Sequence, residues 1–207
     1  VAEAEKISAT GITEVVLTGV NIGDFGIRNG ESLYDLIQAL DEVDGICRYR
    51  ISSIEPNLLT NEIIHFMAQS RKFLPHFHIP LQSGSNTILK SMCRRYKLDL
   101  YSDRVSTIKS LLPDSGIGVD VIVGFPGEKD KQFQETYDFL EQLNVSYFHI
   151  FPYSERDHTD AVILFPKVPP EAIIERSQIL HRLANQKKQV FYNENIGSLR
   201  QVLMENY

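Results

Sequence analysis

Five places along the chain follow an apolar run with small polar residues: "TGVN" (18–21), "SSIEP" (52–56), "PLQSGSN" (80–86), "GFPGE" (124–128) and "PYSER" (152–156). Between them they offer carboxamides, hydroxyls, a phenol, carboxylates, one guanidinium, and glycine backbone unshielded by a Cβ. Such groups hold a polar small molecule through hydrogen bonds. They do not cleave bonds unaided. No Ser-His-Asp order with a nucleophile elbow accompanies them, so acyl transfer is poorly supported. A GxxxxGKS or GxxxxGKT loop is absent, as is a GxGxxG after the first strand-like run, which weakens nucleoside triphosphatase and dinucleotide readings. The turn Gly124-Phe125-Pro126-Gly127, closed by Glu128, carries more special residues than a simple turn needs. It reads as backbone shaped for close approach. Taken singly, Ser85 need only cap a helix and Gly124 need only turn the chain. All five edges together imply one polar binding face.

Metal ligation is not expected. His76 and His78 share a strand face at a spacing of two, but neither has a carboxylate or cysteine at ligand spacing. Satisfied, inward-facing histidines are the expectation. His65, His149, His158 and His181 are scattered. Cys47 and Cys93 stand alone, without a CxxC, which fits a reducing compartment rather than a disulfide framework.

Those edges must be positioned by strands. "EVVLTGV" (14–20), "RYRISSI" (48–54), "HFHIPL" (76–81), "IGVDVIVG" (117–124) and "YFHIFPY" (147–153) are β-branched or aromatic runs. Each precedes helical periodicity. Leu33, Leu36, Ile37 and Leu40 form one face, and Thr60 is placed to cap the next helix. Two helices follow Ser85, in "SNTILKSMCRR" and "YSDRVSTIKSLL". Phe133, Tyr137, Leu140 and Leu143 make a further stripe, and Pro169-Pro170 precede a helix over about 171–193. This alternation predicts a parallel sheet with right-handed crossovers, either open and doubly wound or part of a (β/α) barrel. In both, ligands sit at the C-terminal strand ends. The longest irregular stretch, 154–170, is the length of loop that often carries function.

The whole chain has 207 residues, 43% of them hydrophobic, with a formal charge of −6 from 21 Lys+Arg and 27 Asp+Glu. One globular domain fits that size, and a basic nucleic-acid clamp does not. Arg94-Arg95-Tyr96-Lys97 and Lys187-Lys188 are short basic clusters, expected as solvated helix surface. No apolar run of about 18 residues exists, so a cytoplasmic protein without a membrane partner is expected. Val1 begins mid-element, and "LRQVLMENY" starts a strand without a partner. Both ends therefore read as cuts in a longer protein.

In sequence order, "VVLTGVNIGDFG", "RYRISSIEPN", "FHIPLQSGS", "IGVDVIVGFPGE" and "YFHIFPYSERDHTDA" resemble the radical S-adenosylmethionine (SAM) methylthiotransferases, over residues 15 to 161. "HIPLQSGS" and "VDVIVGFPGE" are shared widely in that family. "LTGVNIG", "SSIEP" and "YSER" are most similar to the branch that thiomethylates N6-threonylcarbamoyladenosine in tRNA. Branches acting on isopentenyladenosine or on a ribosomal-protein aspartate would differ there. The resemblance implies an α/β fold, a partial (β/α)6 TIM-like barrel of the radical SAM type. Its first strand and CxxxCxxC cluster loop would precede Val1. It implies a core over residues 1–195 and the start of a C-terminal TRAM domain at 196–207.

The family's cofactors are SAM and [4Fe-4S] clusters, and reductive cleavage of SAM gives a 5′-deoxyadenosyl radical that abstracts hydrogen from the substrate. The cluster cysteines are absent here, so the clusters and the tRNA partner belong to the full-length protein, and this piece alone would be inactive. Reductant and sulfur donor stay unknown. By the same resemblance, Thr18, Gly19 and Asn21 would face the amino end of SAM, and Ser53 and Glu55 its methionine part or the modified base. Gln82 and Ser83 would meet the ribose hydroxyls. Ile122, Gly124 and Phe125 would seat the adenine, with Gly118 and Glu128 completing a GxIxGxxE-like pattern. Tyr153 and Arg156 would line the substrate entrance, with Arg156 able to fork onto a threonyl carboxylate. A non-catalytic barrel that binds SAM or RNA is the alternative outside the enzyme class. An exposed edge at strand 14–20 would favour dimerisation.

Overall fold

The computed structural model describes residues 1–200 and 202. The end of the expected TRAM segment, 201 and 203–207, lies outside the described residues. A short helix α1 (Ala2–Ala9) leads into β1 (Glu14–Leu17), α2 (Leu33–Asp41), β2 (Arg48–Ile51) and α3 (Asn61–Gln69). There follow β3 (His76–His78), α4 (Asn86–Ser91), α5 (Leu98–Leu111), β4 (Gly116–Val123), α6 (Asp130–Gln142), β5 (Tyr147–Pro152) and α7 (Pro170–Asn195). All five expected strands form, each shorter than or close to its apolar run. They are parallel throughout, with β1 paired to β2 and the order β3-β4-β5 in a second sheet. Parallel bridging of Tyr49 to Phe73, and donation by Ile54 N to the His78 carbonyl (3.0 Å), join the two sheets.

Helix ends obey local chemistry. Ser32 and Asp35 cap α2 reciprocally, Asp35 N to Ser32 Oγ at 3.2 Å and Ser32 N to Asp35 Oδ2 at 2.9 Å. Thr60 Oγ1 accepts from Ile63 N at 3.4 Å, as its position suggested. Pro170 opens α7, where a missing N–H costs nothing. That helix lies along β4 and β5 and buries Leu180, Leu183 and Ala184 against them.

β4 shows how one strand serves two purposes. Ile117, Val119, Val121 and Val123 are fully buried in the hydrophobic core. Gly118, Asp120 and Ile122 alternate onto the inner face, where Ile122 and Asp120 border a cavity. Gly118 has no Cβ because the Tyr147 ring occupies that volume, and an added Cβ would lie 2.4 Å from the Tyr147 hydroxyl. The motif glycine thus seats a side chain of β5. Gly124 is explained similarly. Its φ of +83° suits glycine, and a Cβ there would meet Ile173 Cγ1 of α7 at 2.4 Å. The absent Cβ of Gly124 thus makes room for a helix.

Candidate functional site

The turn after β4 is held from inside. Glu128 Oε1 accepts from Gly124 N at 3.1 Å and from Arg176 Nη1 of α7 at 2.8 Å. Burial pushes the Glu128 carboxyl above its ordinary range, while the Gly124 amide and the guanidinium pull it back. This rigid turn presents Phe125, whose ring meets Tyr153 edge-on at 5.3 Å. Tyr153 N in turn donates to the Val123 carbonyl at 2.8 Å, extending the β4–β5 ladder past its last strand residue.

The exit from β3 is equally constrained. Gln82 has φ +70°, uncommon outside glycine, and β4 locks it on both sides. Gln82 N donates to the Asp120 carbonyl (2.8 Å), and Ile122 N donates to the Gln82 carbonyl (2.9 Å). Tyr101 Oη donates to the Ile79 carbonyl at 2.7 Å and Tyr96 Oη to the Leu81 carbonyl at 3.0 Å, fixing the same segment from beneath. Burial raises both phenols above their ordinary range.

These ends enclose a cavity of about 640 Å³. Gln82, Ile122, Phe125, Tyr153 and Arg156, all expected site residues, line it together with Arg94, Asp120 and Phe151. A neighbouring cavity of about 190 Å³ is bordered by the expected Asn21 and Glu55, with Asp24, Cys93 and Arg95. Arg94 borders both, and its Nη1 donates to Glu55 Oε1 at 3.2 Å. The structure does not bring the other expected residues to either cavity. Thr18 and Gly19 are exposed after β1, and Ser53 is half-buried. Ser83 is wholly buried, its Oγ 3.3 Å from Thr136 Oγ1 and accepting from Ser85 N at 3.2 Å. Its hydroxyl braces a helix start rather than facing the cavity. Arg94 and Asp120 were not among the expected residues. A lone carboxylate inside an otherwise apolar strand was the available signal for Asp120.

The inner face also carries polar side chains below the cavity. His78 Nε2 lies 2.8 Å from Asp120 Oδ1, and its Nδ1 is 3.1 Å from the Ser52 carbonyl. His149 Nδ1 lies 3.3 Å from the same Asp120 oxygen. His78 is satisfied at both nitrogens, as expected of an inward-facing histidine, but its carboxylate partner was not visible at sequence spacing, and His149 proves informative. The strand order supplies neighbours that linear spacing hides. The bond to Asp120 raises the His78 pKa against the opposing effect of burial. His76, 2.8 Å from the Tyr147 hydroxyl, is pushed down to about 4 by burial and by Arg50 and His78.

A parallel α/β sheet with a polar cavity at its C-terminal edge is a frame used by many enzymes. The chain matches the Radical SAM superfamily over residues 1–140. It belongs to that superfamily. Escherichia coli coproporphyrinogen III oxidase, a radical SAM enzyme of solved structure, superposes with a TM-score of 0.63 at 12% identity. The match covers 90% of this chain and 45% of that one, and confirms the partial TIM-like barrel. Threonylcarbamoyladenosine tRNA methylthiotransferase MtaB of Aquifex aeolicus is 42% identical over 206 residues, covering 99% of this chain and 50% of the relative. The tRNA-2-methylthio-N(6)-dimethylallyladenosine synthase of Helicobacter pylori (strain Shi470) is 36% identical over 212 residues, covering 99% and 48%. The chain spans about half the length of these curated relatives.

The superfamily's small-molecule cofactor, SAM, fits the observed donors. The Tyr153 hydroxyl is buried without a hydrogen-bond partner beside the cavity, an orphan that a polar ligand would satisfy. The volume lies within the ordinary range for small-molecule sites, about 300–1,000 Å³. An iron–sulfur cluster does not fit this chain by itself. Its two cysteines, Cys47 and Cys93, are both exposed and too few for cluster ligation by thiolates.

Proposed function

We propose that this chain is the SAM-binding part of a cytoplasmic tRNA methylthiotransferase core acting on N6-threonylcarbamoyladenosine. The observation that carries the reading is the 640 Å³ cavity, where an apolar floor of Ile122 and Phe125 meets Gln82, Tyr153 and Arg156. Similarity to the Aquifex relative supports the choice of base. SAM, when bound, would supply the 5′-deoxyadenosyl group that becomes able to abstract hydrogen once an electron from the full-length protein's cluster cleaves its bond to sulfur.

The chain's own residues bind and orient. Ile122 and Phe125 flank the adenine, and the Gln82 carboxamide offers a donor and an acceptor to the ribose hydroxyls. Asn21 and Glu55, in the adjoining cavity, take the amino-acid end of SAM, with Arg94 steadying Glu55. Thr18, Gly19 and Ser53 lie outside both cavities and take no direct part in this reading. Ser83 and Gly124 act through packing. Arg156 forks onto the carboxylate of the threonyl group, and the Tyr153 hydroxyl bonds the same ligand face. Acidic net charge leaves the tRNA phosphates to other parts of the full protein, since phosphate neutralisation dominates that affinity.

The test is anaerobic turnover by the cluster-loaded full-length protein on two tRNAs, one bearing N6-threonylcarbamoyladenosine and one dimethylallyladenosine. Nucleosides are then read by mass spectrometry. A 2-methylthio product from the first alone is expected. Product from the second alone would move the chain to the branch of the Helicobacter relative, and none from either would overturn both readings.

A further inference from the structure

We propose that His78, Asp120 and His149 form a binding site for a divalent transition-metal ion of the zinc class, separate from any iron–sulfur cluster. The three residues come from three adjacent strands, β3, β4 and β5, and their ligand atoms all lie within 4.8 Å of one another. The site follows from the inner-face geometry and does not depend on which base the protein modifies.

Convergence of three ligating side chains carries the argument. A neutral imidazole has one N–H and one lone pair. Both nitrogens of His78 face acceptors, the Ser52 carbonyl at 3.1 Å and the Asp120 carboxylate at 2.8 Å. One N–H cannot serve both. With its N–H on Nδ1, His78 turns the Nε2 lone pair toward Asp120, an arrangement that a shared proton or a bound cation satisfies. The Nδ1 bond to a backbone carbonyl is the usual way a metal-binding histidine is oriented, with Nε2 left free to ligate.

His149 adds a second imidazole to the cluster. Its Nδ1 reaches the same Asp120 oxygen at 3.3 Å, so two imidazoles converge on one carboxylate oxygen. One carboxylate oxygen can accept two hydrogen bonds, and the same convergence also offers a metal ion two imidazole nitrogens and an oxygen. Ligands at about 2.0–2.2 Å from a tetrahedral ion lie about 3.3–3.6 Å from one another; the His149–Asp120 separation of 3.3 Å matches this, and His78, at 2.8 Å, would draw back on metal binding. Two imidazoles and a carboxylate suit zinc and its first-row neighbours better than magnesium or calcium. Backing is present as well: Tyr147 packs against His149 at 5.3 Å between ring centroids, in the space left by Gly118. Three protein ligands leave a position for water or a ligand group, and Asp120 borders the large cavity.

The full-length protein, freed of loosely bound metal, is titrated with zinc sulfate and followed by calorimetry, with iron counted separately by elemental analysis. One zinc per chain is expected, with affinity falling at least 100-fold in His149→Ala and in Asp120→Asn while iron content stays unchanged. His65→Ala, remote from the cluster, keeps full zinc affinity. Because Asp120→Asn is nearly isosteric and His149 is exposed, circular dichroism without metal shows whether each variant is folded. The proposal is overturned if folded wild-type protein takes up no zinc, or if the two variants bind it as well as wild type.

Discussion

Tyr96 and Tyr101 donate into one short stretch of backbone, residues 79–81, immediately before the strained Gln82. Their pKa values are raised by burial, so the fold favours the neutral phenols. The sign follows directly. Stability from both groups is complete below the unfolded value of about 10 and is lost as pH rises above it. Thermal melts between pH 8 and 11 should fall steeply for the wild type and less steeply for Tyr96→Phe/Tyr101→Phe. At neutral pH the same double variant should be less stable, by about 1–3 kcal/mol for each carbonyl left unpaired. Equal alkaline slopes would refute the assignment. Arg156 makes a different kind of residue-level claim, because its effect appears only with substrate. Arg156→Ala should raise KM for the modified tRNA by roughly 10- to 100-fold, the worth of charge-assisted bonds of about 1.5–3 kcal/mol. Arg156→Lys should not restore it, since an ammonium cannot fork. Steady-state kinetics with kcat little changed would check this, whereas full activity in the lysine variant would count against it.

At the scale of elements, α7 is tied to the turn after β4 by a buried ion pair. The Arg176 and Glu128 side chains are only 8% and 1% exposed, and Arg176 Nη2 also reaches Asp130 Oδ1 at 2.8 Å. Removing one partner leaves a buried charge alone. Arg176→Ala should therefore cost about 3–5 kcal/mol in urea unfolding, and Glu128→Ala a similar amount. Replacing the pair by leucine and methionine, as Glu128→Leu/Arg176→Met, should recover most of that loss. If the double variant is as unstable as the sum of the singles, the two side chains act independently and their pairing contributes nothing. The consequence for the cavity is mechanical, because Phe125 sits on the turn this pair holds.

Across the whole molecule, β1 pairs only with β2 among the described residues, leaving its other edge open. Val16 on that strand is 38% exposed. Sedimentation of the 207-residue chain should show a dimer that grows with concentration, and Val16→Lys should abolish it. A clean monomer at high concentration would remove this expectation. The strands themselves were legible because Val15-Val16, Val119 to Val123 and Phe148 to Phe151 are β-branched or aromatic runs with few rivals. The cavity edge was legible because parallel α/β folds place polar loops at one end. The histidine–aspartate cluster was not, since His78 and Asp120 are 42 residues apart and meet only through strand order. Gly124 was visible as special, but its packing against Ile173 was not, because that residue arrives from a helix that local spacing cannot dock.

The alternation along β4 also bears on how such a protein can change over generations. Positions 117, 119, 121 and 123 answer to the core, while 118, 120 and 122 answer to the inner face. Selection for abundance and selection for chemistry therefore act on interleaved codons of one short segment. A lineage can retune what the barrel holds by drifting at 120 and 122 while the core positions and Gly118 stand still. An insertion of one residue would exchange the two sets at a stroke, which makes this strand tolerant of substitution and intolerant of changes in length.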